Sequence, residues 1–247
     1  MKMGYIGRIL GLAAGAGLLL GATAMRAEAA SPSVSITSVI GTWGSVTGAP
    51  SDLTGVGTGT ISWGVPADRG DPQSSYVFKG STPPNQTAPL DTNVALGKFT
   101  HNNFPITGGS ITGATLTLTI QGSISDNVNG AQNFNITSSY KFTHNETPNN
   151  ASPASDPANN DLVSVSTNMG GSTTINYAGK SYIFAFSAFE QNGVSTSTFS
   201  TVEGRANVAN LQGRLTATPG PIAGTGLPIA LAAAGFWLFR RRQSREA

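Results

Sequence analysis

Thr115-Leu116-Thr117-Leu118-Thr119-Ile120 alternates a hydroxyl-bearing and an aliphatic residue without a break. Successive side chains of an extended chain point to opposite faces, so Leu116, Leu118 and Ile120 share one face and the three threonines share the other. Such a strand buries one side and wets the other, as strands of antiparallel sheets do. Helical spacing of apolar residues is hardly met anywhere between positions 30 and 218.

The same alternation recurs on both sides of this stretch. It predicts strands at Val34–Ile40, Gly59–Val65, Ser75–Lys79, Val94–His101, Asn133–His144, Leu162–Thr167, Ser172–Tyr177, Ser181–Phe189, Thr196–Val202 and Val208–Ala217, about eleven with Thr115–Ile120. Turn-forming clusters separate them, among them Pro66-Ala67-Asp68-Arg69-Gly70 and Thr82-Pro83-Pro84-Asn85. The expected fold is all-β: an antiparallel β-sandwich, jelly-roll-like, with a barrel as the alternative. An outer-membrane barrel is disfavoured, because Thr-faced strands supply neither the outward apolar band nor the aromatic girdles it needs. Trp43 and Trp63 are expected in the core, one from each sheet.

Both ends of the chain differ from this body. Residues 1–29 read as a secretory signal peptide: Lys2 and Arg8, a small-residue apolar run from Ile9 to Ala24, then Ala27-Glu28-Ala29 as a cleavage site for signal peptidase. An uncleaved anchor is the alternative. At the other end Pro219-Gly220-Pro221 precedes an apolar stretch, and Arg240, Arg241, Arg242 and Arg245 follow it. Ile222 to Phe239 is 18 residues, just enough for one helix to cross a bilayer, and the arginines would stay on the cytoplasmic side. The predicted organisation is therefore signal peptide 1–29, β-sandwich domain 30–218 and a sorting or anchor tail 219–247.

A proline motif, one short apolar helix and a terminal arginine cluster resemble the PEP-CTERM class of sorting tails. The Pro-Glu-Pro core of that class is here Pro219-Gly220-Pro221. The resemblance implies recognition by an exosortase-like enzyme of the inner membrane, with a plain C-terminal anchor as the alternative.

The formal charge of +2 belongs to the tails. Between residues 30 and 218 seven Lys and Arg face ten Asp and Glu, a net charge of −3, and no window clusters bases with aromatics. Nucleic acid is thus not an expected partner. The absence of cysteine excludes disulfides, thiol chemistry and Cys-ligated zinc.

The pentapeptide Lys-Phe-Thr-His-Asn occurs twice, at 98–102 and 141–145, and holds both histidines of the chain, His101 and His144. Alternation places Phe and His of each copy on the inward face, near a strand end. An imidazole there must find partners for both nitrogens. Glu146 follows His144 by two residues, and Asp156 and Asp161 flank the far end of the loop Glu146–Asp161. Two readings follow: a polar clasp in which the histidines and Glu146 bond loop backbone, or a divalent-metal site of His101, His144 and Glu146. No nucleophile elbow accompanies the histidines, and ten scattered acids define no catalytic pair, so catalytic residues are not assigned and the chain is not expected to be an enzyme.

Leu96-Gly97-Lys98-Phe99-Thr100-His101-Asn102-Asn103-Phe104-Pro105-Ile106 resembles the signature of the THxN family of PEP-CTERM proteins, also described as a choice-of-anchor domain. Thr100, His101 and Asn103 fill the motif. Asn145-Glu146-Thr147 with Asn149, Asp161-Leu162-Val163 and Thr201-Val202-Glu203 also look familial. The resemblance implies an all-β extracellular domain carried by interchangeable tails. The resulting expectation is a non-catalytic structural or adhesive protein of the cell envelope or exopolysaccharide matrix, held transiently in the inner membrane before reaching the cell surface. The alternatives are a carbohydrate-binding module using Trp43, Trp63, Tyr76, Tyr140, Tyr177 or Tyr182 as sugar platforms, and a metal-dependent adhesin or hydrolase.

Overall fold

The computed structural model describes residues 31–81, 86–153, 156–166 and 173–218. The expected signal segment 1–29 and sorting tail 219–247 lie outside the described residues. Within them no helix is long and apolar enough to cross a membrane. The strands are β1 (Ser33–Gly48), β2 (Thr60–Trp63), β3 (Val65–Pro66), β4 (Ser74–Gly80), β5 (Gln86–Pro89), β6 (Asn93–Asn103), β7 (Ile106–Thr107) and β8 (Ile111–Asp126). They continue as β9 (Gly130–Asn145), β10 (Asp161–Ser166), β11 (Thr174–Tyr177), β12 (Lys180–Gln191), β13 (Val194–Thr196), β14 (Thr198–Thr201) and β15 (Arg205–Ala217).

These strands form two antiparallel sheets packed face to face. One has the order β14-β10-β9-β8-β1-β5; the other runs β11-β12-β15-β6-β4-β2, with β13 beside β12. A small ribbon pairs β3 with β7. The quoted stretch sits in β8, where Leu116, Leu118 and Ile120 are fully buried and the threonines between them are partly exposed. Both sheets feed a single core, to which Trp43 contributes from β1 and Trp63 from β2, one per sheet as expected.

Three bulges explain where simple alternation fails. In β1 the register shifts between Ile36 and Ser38, so the buried set Val34 and Ile36 is continued by Val39 and Trp43, on the opposite parity. In β6 Val94 and Leu96 face inward, then Phe99 and His101, because an extra residue opposes the Leu211–Gln212 step of β15. In β12 the shift lies between Phe186 and Ala188. One extra residue on one strand flips every side chain beyond it to the other face.

The expected strands were too few and some were cut differently. The segment Gly59–Val65 is broken at Gly64, whose φ of +83° and close approach to the Ile106 side chain leave no room for a Cβ. Thr196–Val202 falls partly in the hairpin strand β13 and partly in β14. β5 and β7 were not expected, being short and without a recognisable apolar alternation.

Among the described residues the edge strands β14, β5, β11 and β2 are each four residues long. Short edges offer little template for another chain's strand. β1 begins and β15 ends at the same end of the sandwich: Ser33 pairs with Pro89, and two residues on the Asp91 amide donates to the Leu215 carbonyl at 2.9 Å. The opposite end collects the C-terminal ends of β6, β9 and β14 and the start of β10.

Candidate functional site

That opposite end holds a largely buried polar cluster. From Phe99 onward β6 turns Phe99, His101 and Asn103 inward, and β9 turns Phe142 and His144 inward, while Lys98, Thr143 and Asn145 face out. β6 and β9 belong to different sheets. The two imidazoles therefore meet across the space between layers, with ring centroids 5.2 Å apart and nearly perpendicular planes. Trp63 lies parallel to His101 at 5.9 Å and edge-on to His144 at 5.6 Å, and Tyr76 meets both rings edge-on.

Each imidazole has one nitrogen tied to a hydroxyl. His101 Nδ1 lies 2.9 Å from Thr201 Oγ1, and His144 Nδ1 lies 2.6 Å from the Tyr76 hydroxyl. His144 Nε2 faces carboxylates, with Glu146 Oε2 at 3.1 Å and Asp161 Oδ2 at 3.8 Å. Glu146 Oε2 also accepts from Ser110 Oγ at 2.7 Å, and Ser110 Oγ accepts from Trp63 Nε1 at 3.1 Å. Asp161 Oδ1 accepts from the Thr147 amide at 2.9 Å, which closes the base of the loop. Buried and without a hydrogen-bond partner in this cluster are His101 Nε2, Asp161 Oδ2 and Asn103 Oδ1.

The electrostatics follow from this enclosure. Burial, then the charge of His144, holds His101 well below the usual histidine range, so its ring is neutral. Burial, then the negative charge of Glu146, pushes Asp161 up to about 6 against the pull of the Thr147 amide. Glu203 is pushed up to about 7 by burial, then by Asp161 and Glu146. Burial also acts upward on Glu146, but hydrogen bonds from His144 and Ser110 outweigh it and leave its carboxyl below the ordinary value. Three carboxylates share one small volume, and their repulsion is visible in every member but the one that two donors hold.

The histidines thus do form a clasp, though with side chains of other strands in place of loop backbone. Ligand atoms of His101, His144 and Asp161 all lie within 4.8 Å of one another. Glu146, expected to be the third member, stands beside His144. Asp156 lies apart, with its side chain accepting from the Ala158 amide at 2.9 Å to cap the 3-10 turn Pro157–Asn159. Of the motif residues, His101 and Asn103 reach the cluster, Asn103 Nδ2 donating to the Thr201 carbonyl at 3.3 Å, whereas Thr100 sits on the opposite face of β6. Four segments far apart in sequence, around Thr100, Asn145, Asp161 and Thr201, meet here.

Tyr76, Trp63, Ser110 and Asn207 were missed as members of the cluster. For Tyr76 the signal was present, since alternation through Tyr76 and Phe78 puts both on one face; Ser110 and Asn207 carry no such mark. Asn207 fixes the turn into β15: its Nδ2 donates to the Val202 and Arg205 carbonyls at 2.9 and 3.0 Å, and its Oδ1 accepts from the Val202 amide at 2.9 Å. Asn207→Ala is expected to cost about 2 kcal/mol, because buried backbone groups lose their partners. Asn207→Asp should cost more, since a carboxylate oxygen would then face those carbonyls. Urea unfolding midpoints of the two variants decide the order.

The six aromatic residues expected as sugar platforms are all buried. Trp43, Trp63, Tyr76 and Tyr140 are packed within the core, and Tyr177 and Tyr182 pack against each other at 6.5 Å. A ring enclosed on both faces offers nothing for a sugar to stack on. The surface concavity lined by Thr37, Gln121, Gly122, Asn133, Phe134 and Asn135 contains no titratable group, and that around Lys79, Gln86, Lys98 and Asn210 contains no acid. No protein-family model and no curated protein matches the chain.

Proposed function

We propose that this chain is an exported, non-catalytic protein of the cell envelope or exopolysaccharide matrix, sorted through residues 219–247. Support for the non-catalytic part comes from one observation: both histidines and Asp161, the groups best suited to acid–base or metal chemistry, are at most 4% exposed. A hydrolytic centre has to admit its substrate, and these groups are walled in by Trp63, Tyr76 and the two sheets. The cluster reads as an internal fastening of the fold.

The body's repeated passage between its two sheets agrees with a jelly-roll-like wrapping. Meeting of the four family-like segments at one place supports membership of the THxN group, in which an all-β domain is delivered by a PEP-CTERM-like tail. On this reading signal peptidase removes residues 1–29 in the course of export. The segment from Ile222 to Phe239 then holds the domain on the outer side of the inner membrane until an exosortase-like enzyme acts near Pro219-Gly220-Pro221.

Localisation of the full chain and of a form lacking residues 219–247 tests the proposal. The full chain should give a larger membrane-bound precursor and a smaller form at the cell surface or in the matrix; the truncated form should be released without pausing in the membrane. Mass spectrometry of the surface form is decisive. A C-terminus at Ala247 in that form refutes sorting by cleavage.

A further inference from the structure

We propose that His101, His144 and Asp161, completed by Glu146, bind a divalent transition-metal ion of the zinc type that bolts the two sheets together. The ion would join β6 of one sheet to β9 and β10 of the other and to the base of the Glu146–Asp161 loop.

The first argument is the tautomer of His101. Thr201 Oγ1 touches His101 Nδ1 at 2.9 Å and the Asp161 carbonyl oxygen at 3.4 Å. A carbonyl only accepts; with the single hydroxyl proton of Thr201 directed to it, the hydroxyl oxygen accepts from Nδ1–H. His101 Nε2 then carries a lone pair and no proton. It is buried and has no hydrogen-bond partner, and His101 belongs to the group whose other members are His144 and Asp161. A ring nitrogen of His101 and an Asp161 carboxylate oxygen lie within 4.8 Å of each other, and a cation between two such lone-pair donors is attracted by both. Asp161 Oδ2, equally buried, has no hydrogen-bond partner and faces His144 Nε2 at 3.8 Å.

The supporting hydrogen bonds are those that metal-bound histidines use. A ligating imidazole donates its other N–H to an oxygen, which fixes ring orientation and tautomer. Thr201 does this for His101. The Tyr76 hydroxyl, 2.6 Å from His144 Nδ1, is placed to do it for His144; Nε2, which faces Glu146 Oε2 at 3.1 Å, gives up its proton to the solvent when the ion binds there. On the carboxylate side, Thr147 holds Asp161 Oδ1 and Ser110 holds Glu146.

Spacing and donor chemistry select the ion. A tetrahedral site with bonds of about 2.0–2.1 Å sets its ligand atoms about 3.3 Å apart. His144 Nε2 and Glu146 Oε2, at 3.1 Å, already have this separation; Asp161 Oδ2 at 3.8 Å must move inward by about half an ångström to reach it. Two imidazoles with two carboxylates suit zinc and its neighbours in the first transition row, whereas calcium and magnesium prefer all-oxygen sets. A dipositive ion also neutralises Asp161 and Glu146 and relieves their repulsion with Glu203.

The test uses the full chain prepared without a polyhistidine tag, stripped with chelator and reloaded with Zn(II), Mn(II), Ca(II) or Co(II). About one zinc per chain, a raised melting temperature with zinc, and the visible absorption of four-coordinate Co(II) are expected. Asp161→Asn should abolish stoichiometric binding. Thr201→Val keeps the side-chain shape and should weaken binding about 10- to 100-fold, the usual effect of removing a group that orients a metal-bound histidine. Asp156→Asn, outside the cluster, should bind as the parent does. Should Asp161→Asn fail to fold, the parent and Thr201→Val decide. Sub-stoichiometric metal in the parent with no change in melting temperature overturns the proposal and leaves the cluster held by shared protons. Unchanged affinity in Thr201→Val overturns the assigned ligand set.

Discussion

Trp43→Ala is expected to lower the unfolding free energy by about 3–5 kcal/mol. The indole is 1% exposed and sits where the sheets meet, with ring centroids 4.9 Å from Phe142, 5.2 Å from Tyr76 and 5.9 Å from Phe99. Truncation removes its dispersion contacts with all three rings and leaves a cavity that two rigid sheets cannot collapse into. Against a domain stability of about 5–15 kcal/mol, such a loss takes a large share. Trp43→Phe provides the contrast. The indole N–H is buried without a partner, so the smaller ring loses volume but also removes an unsatisfied donor, and the cost should stay below about 1.5 kcal/mol. Equilibrium unfolding in urea measures both. A loss below about 1 kcal/mol for Trp43→Ala would mean that the interlayer space is much softer than the packing implies.

Gly80→Ala is the second large effect, expected at about 3 kcal/mol. A Cβ at Gly80 would stand 1.8 Å from the Val39 carbonyl oxygen and 2.9 Å from its carbonyl carbon. The obstacle is backbone of β1, so no rotamer change relieves it, and β4 and β1 would have to move apart. Phe78, two residues earlier, fills the adjoining space over Gly41, where an added Cβ would come within 2.3 Å of its ring. The two sheets thus approach each other here through glycines. Gly44→Ala, with nothing within 4 Å of the added carbon, is the matched control and should change stability by no more than about 0.5 kcal/mol. Equal melting temperatures for the Gly80 and Gly44 variants would contradict the close approach.

Much of this architecture was legible in local pattern, and the reasons differ between elements. Thr115–Ile120 was read correctly because β8 carries no bulge there and its alternation is undisturbed. Val34–Ile40 was found as a strand, but its inward set could not be followed to Trp43, because the shift after Ile36 is set by pairing with β8 and leaves no mark on composition. Inward placement of His101 and His144 followed from the Phe two residues before each. Their meeting across the layers did not follow, since which strands oppose one another is decided by topology over a 43-residue separation. Asp161 illustrates the same limit. In sequence it flanks the far end of a polar loop like Asp156, and it gains its place beside His144 because β10 pairs with β9, Val163 opposite His144.

The common end of β1 and β15 has a geometric consequence for the cluster. β15 runs from Arg205, beside Asn103, to Ala217, next to the last described residue, and its 13 residues span about 40 Å at about 3.3 Å per residue. Whatever joins the domain after Thr218 is therefore attached at the end opposite the histidine cluster. The loop from Glu146 to Asp161 thus lies remote from that attachment, and the bond from the Thr147 amide to Asp161 Oδ1 keeps the free end of the sandwich from fraying.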